Sequence, residues 1–369
     1  MRCKIRIPFF SLLLLATIFL WGKSPQELFL HWDQNKDGQL SRNELPGSAQ
    51  KNFIRVDQNK DNSISLDEHL KFLSQKKKAI YEENIQIIPN LPFADNQNPR
   101  QSLDLILPRK SAAQKKLPLI VWIHGGGWKN GDKKSGLSSH RITALVKTGR
   151  YIGATIAYRL SGEVQWPAQI HDCKAAIRWL RGNADQYGID PERIAVWGSS
   201  AGGHLVSMLG VTNRVKNLEG SIGKHLDQSS QVQAVVNYYG PSSLLQMNDH
   251  PSKIDHNAPG SPESQLIGSP IQQSKKKARQ ASPLHYVTAD DAPIIHFHGT
   301  DDPLVPAHQS TLFHRALKDK GVPSTLITLK GGGHSMPSTF TQSKVIPFLD
   351  YILYQKGTSL SDQTIPLNN

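Results

Sequence analysis

The segment IAVWGSSAGGHL, Ile194 to Leu205, constrains this chain most tightly. A β-branched and aromatic run, Ile194 to Trp197, stops at Gly198-Ser199-Ser200-Ala201-Gly202, and a helix-compatible run from His204 to Leu209 follows. G-x-S-x-G between a strand and a helix marks a sharp turn that lifts the central serine hydroxyl to the top of a sheet. Such a turn presses its flanking residues against other backbone, which selects Gly198 and Gly202 because they carry no Cβ. It also aims the N–H of Ala201, at the helix start, toward developing negative charge. A glycine-rich turn with incidental serines reads the same way over five residues, and the rest of the chain decides between the two.

From Leu117 onward the pattern alternates between strand and helix. Leu119 to Ile123 is continuously apolar, as in a buried parallel strand. Tyr151–Ala157, Ile194–Trp197, Val232–Tyr239, Pro293–Phe297 and Ser324–Leu329 read as further strands. Ala168–Ala184, His308–Lys320 and Ser338–Gln355 read as helices, the last despite Pro347. This alternation implies an α/β fold, a mostly parallel sheet flanked by helices, with its ligand site at the strand C-termini. The domain boundaries expected are 101–356 for this unit, 76–100 for a linker that includes the start of a first strand, and 357–369 for a disordered tail. Residues 242–280 are polar, rich in Pro and Gly and dotted with lysine, which predicts a mobile excursion over the site. That excursion, Trp128 and Trp166 are expected to shape the substrate pocket.

A serine hydroxyl needs a base, the base needs an orienting acid, and the acyl oxygen needs donors. Each candidate follows a strand and therefore lies at the same sheet edge. Ser200 is the nucleophile. His334, in GGGHS after the strand ending at Leu329, is the base. Asp302, in HGTDDPLVP after the strand ending at Phe297, is the acid, with Asp301 a direct rival and Asp249 a weaker one. His296 and His298, in or at the end of a strand, read as core or loop-stabilising. HGGGW, His124 to Trp128, offers successive N–H groups that no Cβ obstructs. Gly126 and Gly127, with Ala201, are assigned to an oxyanion hole.

The chain ahead of this unit carries a different chemistry. Residues 24–75 contain DQNKDGQLSRNE, Asp33 to Glu44, and DQNKDNSISLDE, Asp57 to Glu68. Both fit the twelve-residue EF-hand calcium loop position by position. Asp33, Asn35, Asp37, Gln39 through its backbone carbonyl, and Glu44 are the oxygen donors of the first. Asp57, Asn59, Asp61, Ser63 through its carbonyl, and Glu68 are those of the second. Gly38 makes the first loop's sharp turn. Asn62 replaces it in the second, tolerating positive φ and predicting a weaker site. Leu40 and Ile64 are placed to pair. Calcium is thus expected at both loops. A calcium-dependent protein partner for this pair is compatible with that reading.

The formal charge is +13, of which Arg2, Lys4, Arg6 and Lys23 supply four before any acid occurs. The remaining +9 is scattered in short clusters, without a basic helix or aromatic–basic alternation, which argues against a nucleic-acid surface. Residues 1–23 combine the positive start with an uncharged stretch, Ile7 to Trp21, shorter than a membrane span. They predict export to the periplasm or beyond, with an uncleaved membrane anchor as the alternative. The two cysteines, Cys3 and Cys173, leave no intrachain disulfide once that segment is removed.

HGGGW, DCKAAIRWLRGNADQYGID, RIAVWGSSAGGHL, ASPLHYV, HGTDDPLVP and GGGH together resemble the bacterial α/β-hydrolase esterases related to the hormone-sensitive-lipase group. The resemblance covers Ile85 to Leu353 and is nearest to acetyl- and feruloyl-esterase-like enzymes acting on polysaccharide. It implies the α/β-hydrolase fold and carboxylic-ester hydrolysis through a serine acyl-enzyme with no cofactor, to which the calcium of the acidic loops is a structural addition. Its H-G-x-x-D pattern selects Asp302 over Asp301. The substrate expected is a small or polysaccharide-linked ester with a short or aromatic acyl group. A prolyl-oligopeptidase-like peptidase and a calcium-stabilised binding protein without turnover are the competing readings.

Overall fold

A computed structural model describes residues 25–50, 52–72, 84–109, 116–213 and 215–367. The expected export segment, residues 1–23, lies outside them, as do residues 76–83 of the expected linker. The chain divides into two compact units, residues 1–82 and 83–369.

In the first unit a helix, Pro25–Trp32, leads into the first acidic loop. The short helices Gly47–Gln50 and Phe53–Val56 lead to the second loop, and residues 66–72 are helical after it. The two loops meet through an antiparallel bridge in which Leu40 pairs with Ile64, as their spacing predicts. Phe29, Leu40, Leu45, Phe53, Val56 and Ile64 form the unit's own core.

The second unit is built on a nine-stranded sheet. Its strands in chain order are β1 (Ile85–Pro92), β2 (Ser102–Pro108), β3 (Leu117–Ile123), β4 (Ile152–Ile156), β5 (Ile189–Ser199), β6 (Ala234–Tyr238), β7 (Ile294–Gly299), β8 (Ser324–Lys330) and β9 (Gln363–Pro366). Their spatial order is β9-β8-β7-β6-β5-β3-β4-β2-β1. β1 and β2 are antiparallel to their neighbours; all pairings from β4 across to β9 are parallel. The chain reverses direction across the sheet between β3 and β5, and β5 carries Ser200 at its C-terminal end.

Alternation along β3 explains how the sheet is covered. Leu119, Val121 and Ile123 join one buried cluster, and Ile120 and Trp122 the other. Three helices, α2 (Ala168–Gly182), α3 (Ala201–Val211) and α4 (His308–Asp319), contribute to the first cluster. In α2 the residues Ile170, Cys173, Ile177 and Leu180 recur at helical spacing and are fully buried. Each large aliphatic among them contributes about 1.5–3 kcal/mol. The opposite face is covered by α1 (Arg141–Val146) and α5 (Ile346–Tyr354). Pro347 is accommodated because α5 restarts there after a five-residue π turn, Thr341–Val345, so proline occupies the first turn.

Two expectations are corrected. The tail is not disordered from residue 357: Gln363–Pro366 adds β9 in parallel to β8, with Ile327 opposite Gln363. Residues 242–280 are not a loose excursion. They fold into short helical turns that bury Leu244, Leu266, Ile267, Ile271 and Ala278 in the main core.

Candidate active site

One residue, Ser200, separates β5 from α3. It takes φ 56° and ψ −123°, a conformation that costs a non-glycine residue about 1–3 kcal/mol and persists only where its surroundings impose it. Those surroundings are visible. A Cβ on Gly202 would stand 2.1 Å from the carbonyl oxygen of Ile123, and one on Gly198 would stand 2.3 Å from that of Gly202. The Ser200 N–H donates to the Tyr238 carbonyl at 2.9 Å, and the His204 N–H donates to that of Ser200 at 2.9 Å. The elbow is thereby pinned to β6 behind it and to α3 ahead.

The loops that carry Asp302 and His334 follow β7 and β8 and are tied together, the Asp301 N–H donating to Gly332 O at 2.9 Å and the Gly331 N–H to Thr300 Oγ at 2.8 Å. His334 Nδ1 lies 2.7 Å from Asp302 Oδ2. The Asp302 carboxyl is fully buried, and its other oxygen accepts from the N–H groups of Leu304 and Val305, both at 2.9 Å. Burial works to raise the Asp302 pKa, but hydrogen bonds from His298 and His334, with the backbone donor of Val305, outweigh it and hold the group far below the usual carboxylate range. Asp301 is exposed and is bonded by its neighbour Thr300; Asp249 is exposed on the insertion. Neither is hydrogen-bonded to His334, so Asp302 stands where both rivals do not.

His296 and His298 are both buried, as the sequence reading expects. His296 is a core residue beside Phe313, and burial drives its pKa well down. His298 does more than stabilise a loop. Its Nε2 lies 2.9 Å from Val305 O and 3.3 Å from Asp302 Oδ2, and its Nδ1 lies 2.7 Å from Ser310 Oγ. Nε2 faces two acceptors and so carries the proton. Asp302 therefore has an imidazole on either side.

The HGGGW loop leaves β3 with Gly126 at φ 115° and Gly127 at φ 58°, values open to glycine. His124 is buried, stacks on Tyr158 at 4.3 Å and donates from Nδ1 to Gly125 O at 2.8 Å. Burial pushes its pKa down to about 4, so it is neutral. Trp128 is buried and donates from Nε1 to His204 Nδ1 at 3.1 Å, while His204 Nε2 donates to Ala281 O at 2.7 Å. That chain fastens the loop to α3. Trp128 lines the cleft as expected; Trp166 borders a separate hollow beside Leu218 and Lys277.

Gly126, Gly127, Ser200, Ala201 and His334 all line one cleft of about 420 Å³. Tyr239, whose ring centre lies 4.4 Å from that of His334, forms part of its wall. Ile254, His256, Pro262 and Glu263 close another side, so the 242–280 insertion does contribute to the pocket. Tyr239, His256 and Glu263 carried no signal in the sequence; only the juxtaposition of β6 with the insertion brings them in.

Residues 103–317, more than half the chain, match the BD-FAE family. The chain belongs to that family. Among similar proteins, Esterase LipC of Mycobacterium tuberculosis is 29% identical over 238 residues, covering 64% of this chain and 57% of LipC. This member of the BD-FAE family spans about half the length of the curated relatives it matches. A truncated form of a carbohydrate esterase from gut microbiota has 32% identity and a TM-score of 0.68, covering 74% of this chain and 98% of that one. An esterase of Thermogutta terrifontis has 25% identity and a TM-score of 0.58, covering 75% of this chain and 96% of that one. The sheet order and these likenesses make the second unit an α/β-hydrolase fold.

In the first unit, the acidic loops already hold themselves in a coiled shape. Glu44 accepts from the N–H groups of Gln34 and Ser41 at 3.1 and 2.8 Å; Glu68 does the same with Gln58 and Ser65 at 2.9 and 3.0 Å. Asp37 and Asp61 accept from the N–H groups of Gln39 and Ser63, both at 2.8 Å. Gly38 and Asn62 both take positive φ, 80° and 66°. Asp33 Oδ1 and Asp57 Oδ1 are buried without a hydrogen-bond partner. Among the described residues no three His, Cys, Asp or Glu side chains converge tightly enough to hold a metal by themselves. Each loop's donors here are carboxylates mixed with the amide oxygens of Asn35 or Asn59 and a backbone carbonyl. Two orphaned oxygens in oxygen-only loops fit a hard cation.

Proposed function

We propose that this chain is a serine carboxylic-ester hydrolase acting through Ser200, His334 and Asp302. The observation that carries the reading is the 2.7 Å contact between His334 and buried Asp302, in the cleft wall that also presents Ser200 at its strained elbow. In the first step His334 Nε2 takes the Ser200 proton as Oγ attacks the ester carbonyl. The oxyanion is received by the N–H groups of Gly126, Gly127 and Ala201. His334 then protonates the leaving alcohol, leaving an acyl-serine. Water, deprotonated by the same imidazole, attacks the acyl carbon and releases the acid. Asp302 keeps the Nδ1 proton in place and stabilises the imidazolium. Each oxyanion donor is worth about 3–4 kcal/mol in the transition state.

The likeness to a carbohydrate esterase supports a small or polysaccharide-linked ester as substrate. The esterase names of the relatives favour esters over peptides, against the peptidase and the inert binding protein. In the first unit, Asp33, Asn35, Asp37, Gln39 and Glu44, and Asp57, Asn59, Asp61, Ser63 and Glu68, would hold one calcium ion each as a structural ion. The orphaned Asp33 and Asp57 oxygens support that reading. Export, with or without an N-terminal membrane anchor, and a calcium-dependent protein partner remain part of the same proposal.

The test is hydrolysis of p-nitrophenyl acetate, butyrate and octanoate, with an aminoacyl anilide alongside. Ester turnover by wild type, absent in Ser200→Ala, is expected. Anilide turnover exceeding ester turnover would restore the peptidase, and no turnover of any substrate would restore the binding protein.

A further inference from the structure

The catalytic cleft contains a His–Glu pair that the ester chemistry leaves unused. His256 and Glu263, both on the 242–280 insertion, line the same cleft as Ser200 and His334. Their side chains are only 1% and 4% exposed. His256 Nδ1 approaches Glu263 Oε2 to 3.0 Å, though off the direction of a good hydrogen bond, so both atoms retain bonding capacity.

The protons can be assigned. Ser252 Oγ has the Pro303 carbonyl as an acceptor at 3.2 Å, so it receives the proton of His256 Nε2 at 3.1 Å. His256 Nδ1 and Glu263 Oε2 are then two hydrogen-bonding positions of the cleft wall that no partner among the described residues fills.

The pair is held firmly. The His256 N–H donates to Asn248 Oδ1 at 2.9 Å, and the His256 carbonyl accepts from Ser261 Oγ at 2.8 Å. Ser261 also caps the helix Pro262–Ile267, accepting from the Ser264 N–H at 3.0 Å. Pro262 in turn sits over the oxyanion loop, 3.2 Å from where a Cβ on Gly127 would be.

A buried ion pair is weak as a source of stability, and apolar residues of the same volume often serve as well or better. A cleft that only had to take up an acyl chain would favour such an apolar wall. A carboxylate beside the oxyanion loop suits instead a ligand that brings hydroxyl donors. Immediately adjacent is a groove of about 700 Å³ whose lining includes Lys129, Ser161, Glu163, Gln165 and Gln265, and Lys129 borders both spaces.

We propose that the His256–Glu263 pair is the alcohol-recognition element of this site: Glu263 accepts a hydroxyl neighbouring the ester oxygen of a sugar-like alcohol, whose remainder lies in the groove beside Lys129. This rests on the esterase reading above and extends it to residues that set the leaving group.

The test compares two acetates of different alcohols, p-nitrophenyl acetate and monoacetylated methyl glucopyranoside, so that the acyl group is constant. In Glu263→Gln the ratio of kcat/KM for the sugar ester to that for p-nitrophenyl acetate is expected to fall at least tenfold, mainly through KM. Inhibition of p-nitrophenyl acetate turnover by free methyl glucopyranoside is expected to weaken in parallel. His256→Gln should shift both readouts in the same direction. A proportionate loss on both substrates in both variants, through kcat, would make the pair a strut of the Pro303 loop and overturn the inference. So would a wild type that turns over p-nitrophenyl acetate but not the sugar ester. A wild type inert toward both would instead refute the esterase reading on which the inference stands.

Discussion

His298 stands behind Asp302, its Nε2 3.3 Å from the same Oδ2 that His334 Nδ1 meets at 2.7 Å. The Asp302 carboxylate is thus oriented from both sides by imidazoles. His298→Asn removes one donor without emptying the site, and Asp302 Oδ2 is then oriented by His334 alone, with Oδ1 still held by Leu304 and Val305. Steady-state kinetics on p-nitrophenyl acetate should show kcat reduced about tenfold or more with KM little changed, as for loss of an interaction made in the transition state. An unchanged kcat would relegate His298 to packing.

Buried neutral histidines set an acid limit on stability. His124 and His204 are each pushed down to about 4, in both cases by burial first, only partly opposed by a backbone hydrogen bond. The unfolded chain protonates them near 6.5, so it binds more protons than the folded chain between about 6.5 and 4. Stability is then full above that window and falls as pH drops through it, by up to about 1.4 kcal/mol per pH unit for each residue. Urea midpoints from pH 7 to 4 should decline for wild type and less steeply for His204→Gln. Equal slopes would contradict the assignment.

The elbow tolerates no side chain at Gly202. Gly202→Ala would drive a Cβ to 2.1 Å from the Ile123 carbonyl, backbone that cannot swing aside. A loss of about 3 kcal/mol in thermal or urea unfolding is expected. Gly162→Ala is the control, since nothing lies within 4 Å of its Cβ position, and should change stability by less than about 0.5 kcal/mol.

Calcium at the acidic loops would stabilise the first unit by mass action, about 2.7 kcal/mol at a hundredfold excess over Kd. Calorimetric titration of the chelator-treated chain should find two sites, one lost in Glu44→Gln and the other in Glu68→Gln. The second should be the weaker, because Asn62 must hold φ 66° where the first loop has Gly38. Two intact sites in both variants would remove the loops as the ligands.

Much of this architecture is written locally in the chain. Gly198 and Gly202, the apolar run of β3 and the strand-ending positions of Asp302 and His334 each signal a backbone requirement that a short window contains. The choice between Asp301 and Asp302 is not of that kind: adjacent carboxylates look alike until one is buried against two imidazoles. The 242–280 insertion misleads for a related reason. Leu244, Leu266, Ile267, Ile271 and Ala278 are too thinly spread among polar residues to show a period, yet each finds the core. β9 is four residues of mixed polarity, and only its partner β8 makes it a strand. His256 and Glu263 stand seven positions apart on neighbouring turns, a spacing that has no meaning before the insertion folds.

The most direct test of the central claim is the intact mass of the protein after exposure to a fluorophosphonate, followed by peptide mapping. A single adduct on Ser200, absent in Ser200→Ala and slowed by p-nitrophenyl acetate, is the result expected of a serine activated by His334 and Asp302. No adduct, or an adduct on any other serine, would contradict the assignment of Ser200 as the nucleophile.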